Sequence, residues 1–242
     1  MHALREGLAR VAAAPAVLAG TIAVLAWLRG ASDTRNTIAG FLLWAFLSGG
    51  ILDRYARGRA VRARGFFGAC GAHAAATARL GVGLVLVNAA IQFALGPGAG
   101  NPLVRTLSIV LLAAVALAAV YAQIRLVVED RRSAVGAVLG AVRFIRRNPA
   151  SVAPFLVHAG VLWAAAWALT AAGSGRSERI ALAAIAAWIV ILSAVVLALY
   201  ASGVALFQSR LAHAGYTAAP PIEWPESPAA EAIVNASPSP AP

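Results

Sequence analysis

Apolar residues gather in six stretches along this chain, at residues 11–28, 37–52, 80–96, 103–128, 151–172 and 180–207. Spans of roughly 20 apolar residues match the hydrocarbon thickness of a bilayer, so each stretch predicts a transmembrane helix. Arg5 and Arg10 precede the first, as in a signal peptide. Its apolar core exceeds the roughly 7–15 residues of a signal sequence, and no small-x-small cleavage site follows, so a retained span is expected. The second stretch is the shortest and carries Gly40, Gly49 and Gly50. Glycine suits membrane helices whose neighbours approach closely.

Between the spans the polar pattern alternates. Residues 29–36, 97–102 and 173–179 form short connections, too small to fold as a domain. Residues 53–79 and 129–148 form longer ones, rich in Arg, Ala and Gly, with apolar positions at helical spacing. With a cytoplasmic N-terminus, fifteen of the twenty arginines fall on the inner side and five on the outer, counted along the chain. Basic loops stay on the cytoplasmic side during insertion, and this split predicts six spans with both termini inside.

The pattern also repeats. The second, fourth and sixth spans end alike, in the stretches beginning Phe46-Leu47-Ser48, Tyr121-Ala122-Gln123 and Tyr200-Ala201-Ser202. A basic, Ala-rich segment precedes the first, third and fifth spans, and Pro15 and Pro149 fall where one helix gives way to the next. Three copies of one unit, at residues 3–55, 58–132 and 133–210, describe this: an amphipathic helix, a span, a short outer turn and a returning span. Serial insertion of helical hairpins gives the same alternation without duplication. The membrane domain is expected over residues 1–215. Residues 216–242 hold seven of the twelve prolines and predict a disordered cytoplasmic tail.

Composition sharpens the fold class. The chain has 242 residues, 61% hydrophobic and 12% charged, about half the charge of a soluble domain, and a mean hydropathy of +0.78. A water-soluble globule is ruled out; the expected class is an all-α integral membrane protein. Every one of its 20 basic residues is Arg, which together with nine acids leaves a net charge of +11. The lack of Lys points to a GC-rich genome and hence to a bacterium. One cysteine, Cys70, excludes an internal disulfide and a cysteine-based metal cluster.

The amphipathic pattern is clearest at residues 133–148. Val135, Val138, Leu139, Val142 and Ile145 share one face, and Arg132, Arg143, Arg146 and Arg147 are expected opposite it. Asn148 is expected to cap the next span, with Pro149 at its first position. Such a helix can rest in the headgroup layer with its arginines on anionic lipid phosphates, or serve only as a topological anchor. Inside the spans, Asn88 and Gln92 lie one turn apart and His158 two turns into the fifth span. They suggest either a central polar pocket or interhelical hydrogen bonds. The charge cluster Glu129-Asp130-Arg131-Arg132 can pair with Arg54 and Arg57, or hold a cation together with a lipid phosphate.

The chain carries no G-x-S-x-G, H-E-x-x-H, P-loop or dinucleotide fingerprint, and its four histidines lack metal-ligand spacing. No enzyme activity, metal or cofactor is expected. A basic inner face on a membrane protein calls for no nucleic acid.

Tyr121-x3-Arg125-x3-Glu129-Asp130-x-Arg132-Ser133, followed by Ala137, Ala141, Phe144, Arg147, Asn148 and Pro149, resembles a group of uncharacterised bacterial six-span proteins. That group is similar to the membrane domain attached to some glycerophosphoryl diester phosphodiesterases. The resemblance covers about 30 residues closely and the rest by span layout. It implies an inner-membrane protein working near lipids, and it transfers no functional residue. Two functions are therefore expected as alternatives. One is binding or moving a lipid or amphiphile, most simply an anionic lipid, at the cytoplasmic leaflet. The other is packing against a membrane-protein partner or a second copy through small-residue faces such as Gly81-x-Gly83.

Overall fold

A computed structural model describes residues 2–30, 34–57, 62–98, 100–173 and 177–218. Every regular element among them is helical: α1 (His2–Ala12), α2 (Pro15–Gly30), α3 (Thr34–Arg57), α4 (Ala63–Leu95), α5 (Pro102–Val128), α6 (Ala134–Arg147), α7 (Val152–Gly173) and α8 (Glu178–Ala218). Short 3₁₀ turns follow α4 and precede α7. The main body runs over Met1–Gln208, and a second unit, Ser209–Pro242, contributes the described end of α8. The proline-rich tail lies almost wholly outside the described residues.

Four helices are long and apolar enough to cross a membrane, those over Ala63–Gly98, Pro102–Val128, Pro149–Ala172 and Glu178–Leu211. Helices α1 and α2 together make a fifth if the bent pair counts as one span. Large apolar side chains point outward along these helices: Phe93, Leu103, Trp163 and Trp167 are all exposed. Apolar surface on this scale is costly in water and neutral in lipid, so the molecule is consistent with a membrane protein. Helix α3, the expected second span, does not meet the same measure; its last turns hold Asp53, Arg54 and Arg57.

Proline decides where the chain bends. Helices α1 and α2 meet at 83° across Ala13-Ala14, with Pro15 opening α2. Helix α6 ends at Arg147, and Pro149 opens the turn leading into α7. The middle segment differs from expectation. No proline stands between Ala63 and Leu95, and the basic Ala-rich stretch and the span run together as one helix of 33 residues. An uninterrupted i to i−4 ladder has nothing to break it there.

Helices α3, α5 and α8 form the centre. Ile51, Leu52 and Tyr55 of α3, Tyr121, Ile124 and Leu126 of α5, and Leu197, Val204 and Phe207 of α8 belong to one buried cluster. Each of these helices carries a small-residue contact with a basic segment. Gly49 and Gly50 of α3 lie against His73, Cys70 and Phe66 of α4. Arg125 of α5 lies against Gly140 of α6, and Ser202 of α8 lies against Gly7 of α1. Glycine at these points lets backbones and side chains approach more closely than any Cβ would permit.

Candidate functional site: the basic end and the elbow cleft

Residues between Tyr121 and Ser151 hold α6 onto α5. Ser133 caps α6, its Oγ accepting from the Gly136 amide at 3.1 Å. Ala137 and Ala141 are fully buried. The Tyr121 hydroxyl donates to the Ser151 carbonyl at 3.1 Å, and the Phe144 ring lies between those of Tyr121 and Phe207, at 5.2 and 5.0 Å between centroids. Arg125 donates to Glu129 at 2.9 and 3.2 Å, and its guanidinium lies 6.0 Å from the Phe207 ring centroid, within cation–π range.

Helix α5 ends in a motif that the sequence did not signal. Asp130 adopts φ 49°. The Arg131 amide donates to Leu126 and the Asp130 amide to Val127, the pair of bonds that closes a helix through a left-handed residue. Two of the acids near this end pair locally. Glu129 pairs with Arg125 and Arg131, and Asp53 takes Arg57 at 2.9 Å. The expected pairing of Glu129-Asp130 with Arg54 and Arg57 is therefore absent among the described residues. No group of metal-ligating side chains occurs among them either.

Helix α6 buries only part of the expected side: Val138 and Ile145 pack against the core. Its packed face is small: Ala137, Gly140 and Ala141 are buried. Val135, Leu139 and Val142, from the expected apolar face, are 70%, 56% and 41% exposed. Small residues win the helix contact because they permit close approach. Arg132, Arg143, Arg146 and Arg147 are all exposed. Arg146, seven residues beyond Leu139, shares its side of the helix rather than lying opposite. Asn148 takes the N-cap position of the turn that opens at Pro149, as expected, but its side chain makes no capping bond and donates back to the Phe144 carbonyl at 3.1 Å.

The intramembrane polar residues are not brought together by any contact. Asn88 donates to Leu84 at 2.8 Å and the His158 Nδ1 lies 2.6 Å from the Pro154 oxygen, each on its own helix. Gln92 is exposed. The interhelical hydrogen bonds come from residues outside that set. Thr77 Oγ1 donates to the Ala45 carbonyl at 2.6 Å, and Tyr200 donates to Gln123. Arg10 donates to the Tyr55 carbonyl at 2.7 Å, and Gln208 to the Ala56 carbonyl at 2.8 Å. The last two satisfy carbonyls in the final turn of α3, which have no partner within the helix. The Tyr55 hydroxyl itself is buried without a partner among the described residues.

Two cavities open on this framework. One, of about 510 Å³, lies among α2, α3, α5 and α8, against Leu25, Phe41, Trp44, Val196 and Tyr200. The other, of about 480 Å³, lies beside the α1–α2 elbow, against Ala13 and Ala14 of its joint. Its walls come from the first turns of α2, from Leu47, Ile51 and Arg54 of α3, and from Phe66 and Phe67 of α4. Among its described lining residues Arg54 is the one that is charged, and no carboxylate among the described residues stands at ion-pairing distance from it. This elbow cleft was invisible in the sequence, because it depends on how α2, α3 and α4 pack together.

The chain matches no protein-family model, no curated protein and no solved structure.

Proposed function

We propose that this protein is a six-span bacterial inner-membrane protein, with both termini cytoplasmic, that binds anionic lipid at the inner leaflet through α6. One observation carries the reading: α6 is fastened by its small face while Val135, Leu139 and Val142 stay exposed beside Arg143, Arg146 and Arg147. A helix held this way can press aliphatic side chains into the acyl boundary and hold guanidinium groups at phosphate level. Each arginine near an anionic surface contributes about 1 kcal/mol of attraction.

The threefold-repeat reading belongs with this proposal. In it the basic segment of each unit rests on the returning helix of the unit before, α4 on α3 and α6 on α5, and α1 on α8 closes the cycle. The glycine contacts at Gly49–Gly50, Gly140 and Gly7 support it. Helix α3 then acts as a span whose charged end reaches the inner leaflet. The alternative, a scaffold for another membrane protein through Gly81-x-Gly83, has less support: Gly81 is already filled by the Phe41 ring of α3. Replacing Arg143, Arg146 and Arg147 together with Gln tests the proposal. Retention of anionic lipid through purification is expected to fall several-fold with the protein still folded; unchanged retention would leave these arginines as topological anchors only.

A further inference from the structure

We infer that the elbow cleft is a second lipid site, one that holds the head-proximal part of an acyl chain with its anionic phosphate on Arg54. The inference rests on the membrane reading above but on different residues from α6. The cleft is graded along its depth. Leu47, Ile51 and Arg54 stand at i, i+4 and i+7 on α3, so they line one wall with the charge at one end. On the facing wall Pro15, Gly20 and Thr21 belong to the opening turns of α2. At 1.5 Å per residue, Pro15 to Thr21 covers about 9 Å and Leu47 to Arg54 about 10.5 Å, so both walls reach a similar depth. Below Arg54 the polar lining is spent: the Thr21 hydroxyl donates to Val17 in its own helix. Phe66 and Phe67 close the side, packed edge-to-face at 5.4 Å.

Charge complementarity selects the occupant. Arg54 has no acidic partner among the described residues, and Arg62 and Arg64, which bracket the lining residue Ala63, are exposed and equally unpaired. An apolar trough of about 480 Å³, within the range of roughly 300–1,000 Å³ usual for small-molecule sites, ends in uncompensated positive charge. An anionic single chain of a membrane lipid satisfies both ends; a neutral apolar molecule leaves the guanidinium groups unanswered, and a soluble anion leaves the trough empty.

The test uses the full-length protein in nanodiscs with a phosphatidic acid carrying a photoreactive group in its acyl chain, and a phosphatidylcholine with the same group. Adducts of the anionic probe are expected at Leu47, Ile51, Phe66 or Phe67. Arg54→Gln should lower them at least fivefold and leave phosphatidylcholine labelling unchanged. The double variant Ala16→Phe/Gly20→Phe should abolish them; both positions are exposed, and a Cβ on Gly20 meets nothing within 4 Å, so the fold is left intact. Adducts spread evenly over Val85, Phe93 and Trp163, and indifferent to both changes, would overturn the inference. An unlabelled elbow with a dimer that the double variant dissociates would also overturn it, in favour of a second copy of the chain. Loss of anionic lipid in the α6 arginine variant, with no adducts at the elbow, would leave the α6 reading standing alone.

Discussion

A Cβ placed on Gly7 would lie 2.7 Å from the backbone nitrogen of Ser202 and 2.9 Å from its Cα. Helix α1 therefore touches the backbone of α8 directly, bringing the N-terminal helix against the last one although 195 positions separate the two residues (202 − 7). Arg10, one turn further along α1, donates to the Tyr55 carbonyl and to Gln208 Oε1. One short basic helix thus ties α3 and α8 together.

Because the atoms facing Gly7 are backbone, they cannot swing aside. Gly7→Ala is expected to cost about 1–3 kcal/mol, the usual penalty of overpacking. In a chain of this size that lowers Tm by about 2–4 °C per kcal/mol. Gly83→Ala is the matched control, since a Cβ there meets nothing within 4 Å. Thermal unfolding in detergent checks both, and equal Tm values for the two variants would remove the α1–α8 contact from the account.

Two buried tyrosines should respond in opposite directions to loss of the hydroxyl. The Tyr55 hydroxyl has no partner among the described residues, and burying an unpaired hydroxyl costs about 1–3 kcal/mol on mutational scales. Tyr55→Phe is therefore expected to raise stability by about 1 kcal/mol. Tyr121→Phe loses the bond to the Ser151 carbonyl and should lower stability by about 0.6 kcal/mol, the average for hydrogen bonds between membrane helices. Unfolding titrations of the two variants side by side give the sign of each.

Helix α6 depends on its cap and on the close fit at Gly140. Ser133→Ala removes the acceptor for the Gly136 amide and should cost about 1 kcal/mol. Gly140→Leu displaces the Arg125 guanidinium and with it the pairing to Glu129. Hydrogen exchange is expected to speed up across α6 in both variants while the α5 amides stay protected. Exchange unchanged in α6 would mean that this helix is held by something other than the α5 contact.

Much of this architecture could be read from the chain, and what could not has physical causes. Apolar runs located α5, α7 and α8, and Pro15 and Pro149 marked the breaks before α2 and α7. The continuity of α4 was missed because arginines at 62, 64 and 79 resemble a surface segment, although Ala and Gly between them let the helix run on. The packed face of α6 was legible only in part: Val138 and Ile145 pack against the core as expected, but the fully packed positions are Ala137, Gly140 and Ala141, because small residues permit the closest approach. Asn88 and His158 looked like convergent polar groups, yet each is satisfied by a carbonyl four residues back on its own helix, which spacing cannot reveal. The unpaired Arg54 became visible only after Asp53 and Glu129 had been assigned their partners.

Native mass spectrometry of the protein drawn gently from its own membrane tests the central claim most directly. The account predicts anionic phospholipid retained in excess of its share of the membrane, and lost several-fold when Arg143, Arg146 and Arg147 become Gln. Bare protein, or bound lipid that mirrors the bulk membrane and ignores those substitutions, would contradict it.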